Sequence, residues 1–457
     1  MKLKQVIKDY PITLTASVNV MLAGFQCAFT QPSFGVFSML FTGAVLVRGR
    51  HTVSRMLVAA GVRASRHARF HRFFRAGRWT MDQLWECFAQ LVVQQFVGAG
   101  EPLRLAVDDT AQRKTGAKIY GVGVVLDNRP ALHKSMSFCW GLTWVIATLL
   151  IRVPLWKGRL FALPVMARLY RKEKLCRRQK RPFKTKGALA LEMIEAIAAW
   201  FPQCKMLLHV DGGYAGGDLM KHLPQSVEVL GRARWDAALY ALPPARTSKG
   251  RGRPRIRGRR LPTPREMAEQ PGQGQEAWRR LKLRGGKLYE IRSWVVLRPK
   301  VFGSRPIRLV ATRRAKPDAA IQFFYCTDLK MEPHAVVRGY DDRWAIEMFF
   351  HELKERMGFE HPQCWTEQSV ERTAPFLLLV AGLVQHWFLS QNDPRLIGFR
   401  PRWLSRQRRE SRPPSFSEML AALRRHILGR TFSCRSSSRS DLLQNIRALV
   451  DLAAYAA

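Results

Sequence analysis

Two short apolar runs that each end at an acid constrain the fold of this chain most. They lie at residues 103–109 and 206–211; the first ends in two aspartates, and the second ends in one aspartate before two glycines. Runs of this length, bounded by turn residues, are typical of buried strands. Because Asp and Gly are common in turns, Asp211 taken alone can also be read as a simple turn residue. Together the two runs predict an α/β fold that carries carboxylates where its strands end.

A later helical segment, residues 340–354, carries polar groups along one side. At 3.6 residues per turn, Tyr340, Arg343, Glu347 and Lys354 share a stripe, and His351 lies one turn beyond Glu347. A glutamate can bind a hard divalent cation, while flanking cations neutralise phosphate. The alternative is a solvated surface helix with an ion pair between Arg343 and Glu347. A third acidic position, added to the two strand acids, favours a catalytic site.

These three positions resemble the acidic motifs of bacterial insertion-sequence transposases of the DDE type. The helix matches the Y-x2-R-x3-E-x6-K signature of the hairpin-forming, cut-and-paste group without a mismatch. The family pattern of an acid, any residue, then Thr or Ser selects Asp108 as the first acid, and Asp109 would then cap or hydrogen-bond locally. The resemblance implies a ribonuclease H-like core in which Asp108, Asp211 and Glu347 are catalytic and hold two Mg²⁺ ions, with Mn²⁺ as a substitute. It also implies cleavage and joining of DNA ends.

The resemblance assigns DNA contacts as well. Arg343 and Lys354 would clamp phosphates, and Tyr340 would meet the phosphate beside a displaced base. Trp344 or Trp294 would stack on that base, although a tryptophan in a strand is more often a core residue.

The interval between Asp211 and Glu347 is too long for a minimal core. Residues 289–297, 306–312 and 321–327 read as strands, and the resembling enzymes carry a mostly β insertion at this point. The chain is therefore predicted to be a ribonuclease H-like mixed sheet flanked by helices, interrupted by a β-rich insertion, with helical ends. The predicted segments are 1–98 (helical, DNA-binding), 99–230 (first part of the core), 231–330 (β insertion with a basic loop), 331–370 (final core helix) and 371–457 (helical, with a dimer interface).

The charge of the chain indicates a polyanionic partner. Lys and Arg number 76 against 34 Asp and Glu, for a net charge of +42. DNA phosphates are the natural counterion, and counterion release would make binding strongly salt-dependent. The resemblance specifies double-stranded DNA, both terminal inverted repeats and target, bound by a homodimer in the cytoplasm of a bacterium, at the nucleoid.

A membrane surface is the competing polyanion. Residues 11–47 contain no charged residue, but polar positions such as Asn19, Gln26 and Gln31 break the apolar runs. A buried helical pair is therefore the preferred interpretation, with no membrane partner. The eight cysteines form no C-x-x-C pair, which favours reduced thiols over a zinc site.

Two basic segments are further candidates for DNA contact. Residues 52–62 and 65–74 are predicted to form a helix-turn-helix, whose second helix carries Arg66 and Arg69. The alternative is a basic amphipathic helix that packs on the core through its phenylalanines. Residues 249–260 resemble an AT-hook, in which Arg251, Arg253 and Arg255 would enter a minor groove, and the alternative is a disordered basic loop.

Two other functions compete with transposition. A ribonuclease H-like nuclease or resolvase would use the same chemistry, and a catalytically silent repressor would use only the DNA-binding surface. The complete set of Tyr340, Arg343, Glu347 and Lys354 argues against a generic nuclease, and the intact acidic triad argues against a silent protein.

Overall fold

One mixed sheet of ten strands dominates the computed structural model, which describes residues 14–62, 67–127, 137–156, 159–244, 255–270, 277–283, 286–398, 400 and 412–433. The strands are β1 Leu103–Arg113, β2 Gly123–Asp127, β3 Ser137–Arg152, β4 Leu160–Tyr170, β5 Met206–Val210, β6 Val227–Arg232, β7 Arg279–Lys282, β8 Leu288–Leu297, β9 Pro306–Arg314 and β10 Gln322–Cys326.

Five of the strands, β1, β3, β4, β5 and β6, have ribonuclease H-like topology. β1 pairs antiparallel with β3 and parallel with β5, and β6 runs parallel to β5. Because β4 pairs with the same stretch of β3 that pairs with β1, β4 lies along the opposite edge of β3. The resulting order is β4-β3-β1-β5-β6, in which β3 alone is reversed. The predicted fold class is confirmed.

The sheet continues beyond β6 through the predicted β-rich segment. β10 pairs antiparallel with β6, and β9, β8 and β7 follow in antiparallel order. The three strands predicted at 289–297, 306–312 and 321–327 are present as β8, β9 and β10. They extend the same sheet, and the boundaries of a separate insertion stay a prediction.

Helices cover the sheet and form both ends of the described chain. They are α1 Ala16–Ala23, α2 Gln31–Leu46, α3 Val53–Ala59, α4 His67–Ala76, α5 Met81–Phe96, α6 Glu173–Arg178, α7 Lys186–Trp200, α8 Gly217–Met220, α9 Pro264–Glu269, α10 Pro299–Phe302, α11 Pro333–Asp342, α12 Trp344–Arg356, α13 Glu367–Gln391 and α14 Phe416–Ser433. α7 connects β4 to β5 and packs on β3 and β4.

α13 is the central helix of the α-helical layer. It contacts α2, α4, α5, α14 and β4, and its side chains from Thr373 to Leu389 are buried. Within the described ranges it is the one helix long and apolar enough to cross a membrane, but 94% of its apolar window is buried inside the protein. Burying each large apolar side chain stabilises a fold by about 1.5–3 kcal/mol, so the hydropathy of α13 is accounted for by core packing.

The uncharged N-terminal stretch also packs into this layer. From residue 14 onward it forms α1 and α2, and Phe37, Leu40 and Phe41 of α2 are fully buried. α4 is amphipathic: Phe70, Phe73 and Phe74 are buried, which is the packing expected of the amphipathic alternative.

Candidate functional site

The acids Asp108 and Asp211 come together because β1 and β5 are parallel and in register. Val107 lies beside Val210 as the last pair of this ladder, so the next residue on each strand is an aspartate. β1 does not end at Asp108, as the sequence suggested, because it continues to Arg113 along β3. The acid lies where pairing with β5 ends, which leaves one side of β1 open.

The neighbouring acid, Asp109, is held by local hydrogen bonds. The Tyr214 hydroxyl donates to Asp109 Oδ1 at 3.0 Å, and Lys186 Nζ lies 2.7 Å from Asp109 Oδ2. Tyr214 is the last residue of a 3₁₀ turn, Gly212–Tyr214, that directly follows Asp211. Both oxygens of Asp109 therefore have protein partners, in agreement with the local role that the motif pattern gave it.

The predicted helix of residues 340–354 is instead two helices that meet at Arg343. α11 ends at Asp342 and α12 begins at Trp344, and Arg343 keeps a right-handed helical backbone between them. Tyr340 therefore lies on one helix, while Glu347 and Lys354 lie on the next. A spacing of three or four residues continues through such a junction, so the junction is not visible in the amino-acid pattern.

Arg343 links two of the three acids. Its Nη1 lies 3.1 Å from Asp108 Oδ2, and its Nη2 lies 2.5 Å from Glu347 Oε1. The Arg343 side chain is only 9% exposed. The pair with Glu347 is the i,i+4 ion pair that the sequence offered as an alternative, and the pair with Asp108 was not expected. The contact of Arg343 with DNA phosphate stays a prediction.

Burial raises the pKa of Asp108 to about 6. A hydrogen bond from the backbone N–H of Asp109 and the charge of Arg343 lower that pKa, while the charges of Asp109 and Asp211 raise it. An acid in this environment is stabilised by a nearby cation, and Arg343 supplies one.

Tyr340 reaches the third acid. Its hydroxyl donates to Asp211 Oδ1 at 3.3 Å, and its ring packs against Phe324 with centroids 4.7 Å apart. The Arg343 guanidinium lies 5.6 Å from the same ring. Tyr340 and Arg343 thus connect Asp108, Asp211 and Glu347 into one site on β1, β5 and α12.

The other residues that the sequence singled out differ in how exposed their side chains are. His351 is exposed, and Lys354 is partly exposed in the last turn of α12. Trp344 is 58% exposed at the start of α12, where it lines a small cleft with Met348. Trp294 is buried on β8 under Arg292, as a core tryptophan would be.

The other predicted DNA contacts are only partly described. Arg66, Arg251 and Arg253 lie outside the described residues. Arg69 is exposed on α4 and donates to the backbone carbonyl of Pro32, and Arg255 is exposed. Their roles in DNA binding stay predictions.

Two site residues were missed by the sequence interpretation. Lys186 begins α7, 77 residues after its partner Asp109, and Tyr214 was noted only as part of a turn. A tyrosine three residues after a strand-end aspartate is a weak signal that could have pointed to Tyr214. No group of three or more His, Cys, Asp and Glu side chains within the described ranges is already arranged as a metal site.

Comparison with known proteins identifies a family. A family model described as "DDE superfamily endonuclease" matches residues 25–287, more than half of the chain. The match includes Asp108 and Asp211 and ends before Glu347. No curated protein matches the sequence. A solved structure of the piggyBac transposase synaptic complex with hairpin DNA is 11% identical, covers 97% of this chain and 82% of that one, and has a TM-score of 0.39, a similarity too weak to support any argument.

Proposed function

The chain belongs to the DDE superfamily of endonucleases, and from that premise we propose that it is a DNA transposase of the bacterial insertion-sequence, cut-and-paste type. It would cleave the ends of its element and join them to target DNA. The observation that carries the proposal is the convergence of Asp108, Asp211 and Glu347 through Arg343 and Tyr340. That convergence also favours Asp108 over Asp109 as the catalytic acid.

The three carboxylates suit a hard divalent cation such as Mg²⁺ or Mn²⁺. All are oxygen donors, and the buried Asp108 carries a raised pKa that a cation would lower. Asp108, Asp211 and Glu347 would hold two such ions, which when bound activate water or a 3′-hydroxyl and stabilise the departing oxygen. Arg343 would have to release Asp108 and Glu347 for them to serve as ligands.

The cationic and aromatic side chains would position the DNA strand. A released Arg343 guanidinium would bind a phosphate oxygen, and Lys354 would contact a second phosphate from the same helix. Tyr340 would hold Asp211 in place and contact the phosphate beside a displaced base. Trp344 follows Arg343 directly in the chain and is exposed, so it is better placed than the buried Trp294 to stack on that base.

Double-stranded DNA is the proposed partner, as terminal inverted repeats and as target. The net charge of +42 supports this, because it provides a large electrostatic contribution to phosphate binding. We further propose a homodimer in the DNA complex and action at the bacterial nucleoid.

The test uses labelled duplexes made from the DNA that flanks the coding region, with Mg²⁺. We expect cleavage by the wild type, and loss of cleavage in Asp108→Asn, Asp211→Asn and Glu347→Gln, each by about a thousandfold or more. DNA binding should be unchanged or tighter, because each change removes a negative charge near phosphate. Glu195→Gln, at an exposed position on α7, is the matched control and should cut normally.

Joining of the cut end to a plasmid distinguishes a transposase from a nuclease. Cleavage without joining would support the ribonuclease H-like nuclease, and binding without cleavage would support a silent repressor. If Glu347→Gln cuts at the wild-type rate, Glu347 is not part of the site and the proposal fails.

A further inference from the structure

A cationic cleft lies at the far end of the helix that carries Glu347. It has a volume of about 510 Å³ and is formed by three distant parts of the chain: the α2–α3 connection, the end of α12 with the turn after it, and α14. Arg356, which lines the cleft, lies nine positions after Glu347 on the same helix. At about 1.5 Å per residue, this is roughly 14 Å along the helix axis. That distance is about four base-pair steps of a duplex, at about 3.4 Å each.

The lining of this cleft is strongly positive. Five arginines line it against a single acid, Glu355; they are Arg48, Arg50, Arg55, Arg356 and Arg424. All except Arg424 are exposed. None of the five takes part in an ion pair with a carboxylate of the described residues, whereas many arginines elsewhere do. So many like charges repel one another unless an anion joins them.

Arg424 is the one partly buried arginine of this cleft. It is anchored by hydrogen bonds to the carbonyls of Val45 (2.6 Å) and Val47 (2.9 Å), so it cannot turn away from the cleft without losing them. Burial first, and the charge of Arg48 second, lower the pKa of Arg424 to about 10. An anion in the cleft would offset both effects.

The backbone of the cleft also packs closely against two histidines. Gly358 has a φ of +55°, and a Cβ there would lie 2.1 Å from His361 Nδ1 and 2.7 Å from His51 Nδ1. His361 Nδ1 accepts a hydrogen bond from the backbone N–H of His51 at 3.1 Å, which fastens the turn after α12 to the segment before α3. The backbone between the arginines is therefore held together by contacts of its own.

We propose that this cleft is a second DNA-backbone site, which binds phosphodiester groups several nucleotides away from the acidic site. The inference rests on the proposed function, since it takes the strand cut at Asp108, Asp211 and Glu347 to extend along α12. Phosphate is the anion that multiple guanidinium groups bind best, and a DNA strand supplies successive phosphates at a fixed spacing. The contact would hold the duplex in register without reading its sequence.

The test compares Arg50→Ala/Arg356→Ala with Arg279→Ala/Arg314→Ala. Both double variants remove two positive charges at exposed positions, but Arg279 and Arg314 lie on β7 and β9, toward the opposite edge of the sheet. Arg424 is not used because its loss would disturb the backbone it anchors. Each protein is titrated with flanking-DNA duplexes that carry a single neutral methylphosphonate, moved one position at a time along the strand.

We expect one or two methylphosphonate positions to weaken wild-type binding about ten- to a hundredfold. Those positions should have almost no effect on Arg50→Ala/Arg356→Ala and a full effect on the control, because a contact already removed cannot be lost again. Equal effects in both variants at every position would overturn the proposal.

Free phosphate is the other source of the same chemistry. Isothermal titration of wild type and both variants with inorganic phosphate tests it separately. Phosphate binding lost only in Arg50→Ala/Arg356→Ala, without any coupled methylphosphonate position, would assign the cleft to a free anion and overturn the DNA assignment. If the protein cuts no DNA but the methylphosphonate effect still depends on Arg50 and Arg356, the transposase proposal fails and the cleft proposal stands.

Discussion

The guanidinium of Arg343 donates a hydrogen bond to Asp108 across 3.1 Å and joins the start of α12 to the middle of β1. The same group contacts Glu347, so one cation balances two acids that are 239 residues apart in sequence. The charge balance between Asp108 and Glu347 thus depends on one side chain.

Arg343→Ala should lower the free energy of unfolding by about 1–3 kcal/mol, because it leaves Asp108 and Glu347 without their charged partner. It should also reduce DNA binding and cleavage together. Urea denaturation and gel shift measure both. The control Arg177→Ala removes an exposed ion pair with Glu173 and should change stability by less than about 0.5 kcal/mol. Equal stability of the two variants would contradict the bridging role.

Asp108→Asn and Asp109→Asn should differ sharply in single-turnover cleavage with Mg²⁺. Asp109 already receives hydrogen bonds from Tyr214 and Lys186, so its loss should disturb the site indirectly, by roughly ten- to a hundredfold. Asp108→Asn should cost at least about a thousandfold. The reverse ranking would make Asp109 the catalytic acid.

Trp344→Ala should weaken binding to DNA that carries an unpaired base, by about 1–3 kcal/mol, because its exposed ring can stack on that base. Fluorescence of 2-aminopurine at the unpaired position reports the stacking. Trp294→Ala should instead destabilise the fold by about 3–5 kcal/mol, since this ring is buried. A large stability loss in Trp344→Ala, with unchanged fluorescence, would exclude the stacking role.

Gly358→Ala should destabilise the protein by roughly 2–4 kcal/mol, because it adds backbone strain at positive φ and contacts with two histidines. Gly303 has a similar φ of +61° but open space around its Cβ position. Gly303→Ala therefore measures backbone strain without such contacts, at about 1–3 kcal/mol, because its ψ of −128° lies outside the left-handed α region. The difference between the two melting curves isolates the contacts that build the cleft wall.

Because His386 is buried, we expect the free energy of unfolding to fall at acidic pH. Burial lowers its pKa from 6.5 to about 4, so the unfolded chain binds its proton first as the pH falls. The stabilising contribution is complete above pH 6.5 and is lost as the pH falls toward 4, by up to about 3 kcal/mol. In urea denaturation at a series of pH values, the free energy of unfolding of His386→Leu should fall less steeply between pH 6.5 and 4 than that of the wild type. His334→Leu, at an exposed residue, should leave the slope unchanged.

The strands that carry the first two acids were predictable from sequence, since apolar runs that end in acids are local patterns. β1 and β5 follow those patterns, and their parallel pairing then brings Asp108 beside Asp211. The position of Glu347 was also predictable as a motif. The break at Arg343 was not, because both sides keep helical spacing.

The charge partners could not be read from the sequence for a different reason. Lys186 meets Asp109 only because α7 returns to β1 across the sheet, and Arg343 reaches Asp108 only through the junction of two helices. The cationic cleft combines residues near positions 50, 356 and 424, whose proximity depends on the whole helical layer. Such long-range contacts follow from tertiary packing, which no local pattern records.

The packing of α13 against α1 sets an order of events during synthesis. Trp387 Nε1 donates to Ser17 Oγ at 3.1 Å across 370 residues, so α1 and α2 emerge from the ribosome long before the helix that buries them. At about 5–20 residues per second, the wait is roughly 20–75 s. During that time the first helices can pack on α3 and α4 but lack the part of their native cover that α13 provides. A faster synthesis, a lower concentration of nascent chains or a chaperone that covers these faces would therefore reduce aggregation before α13 is made.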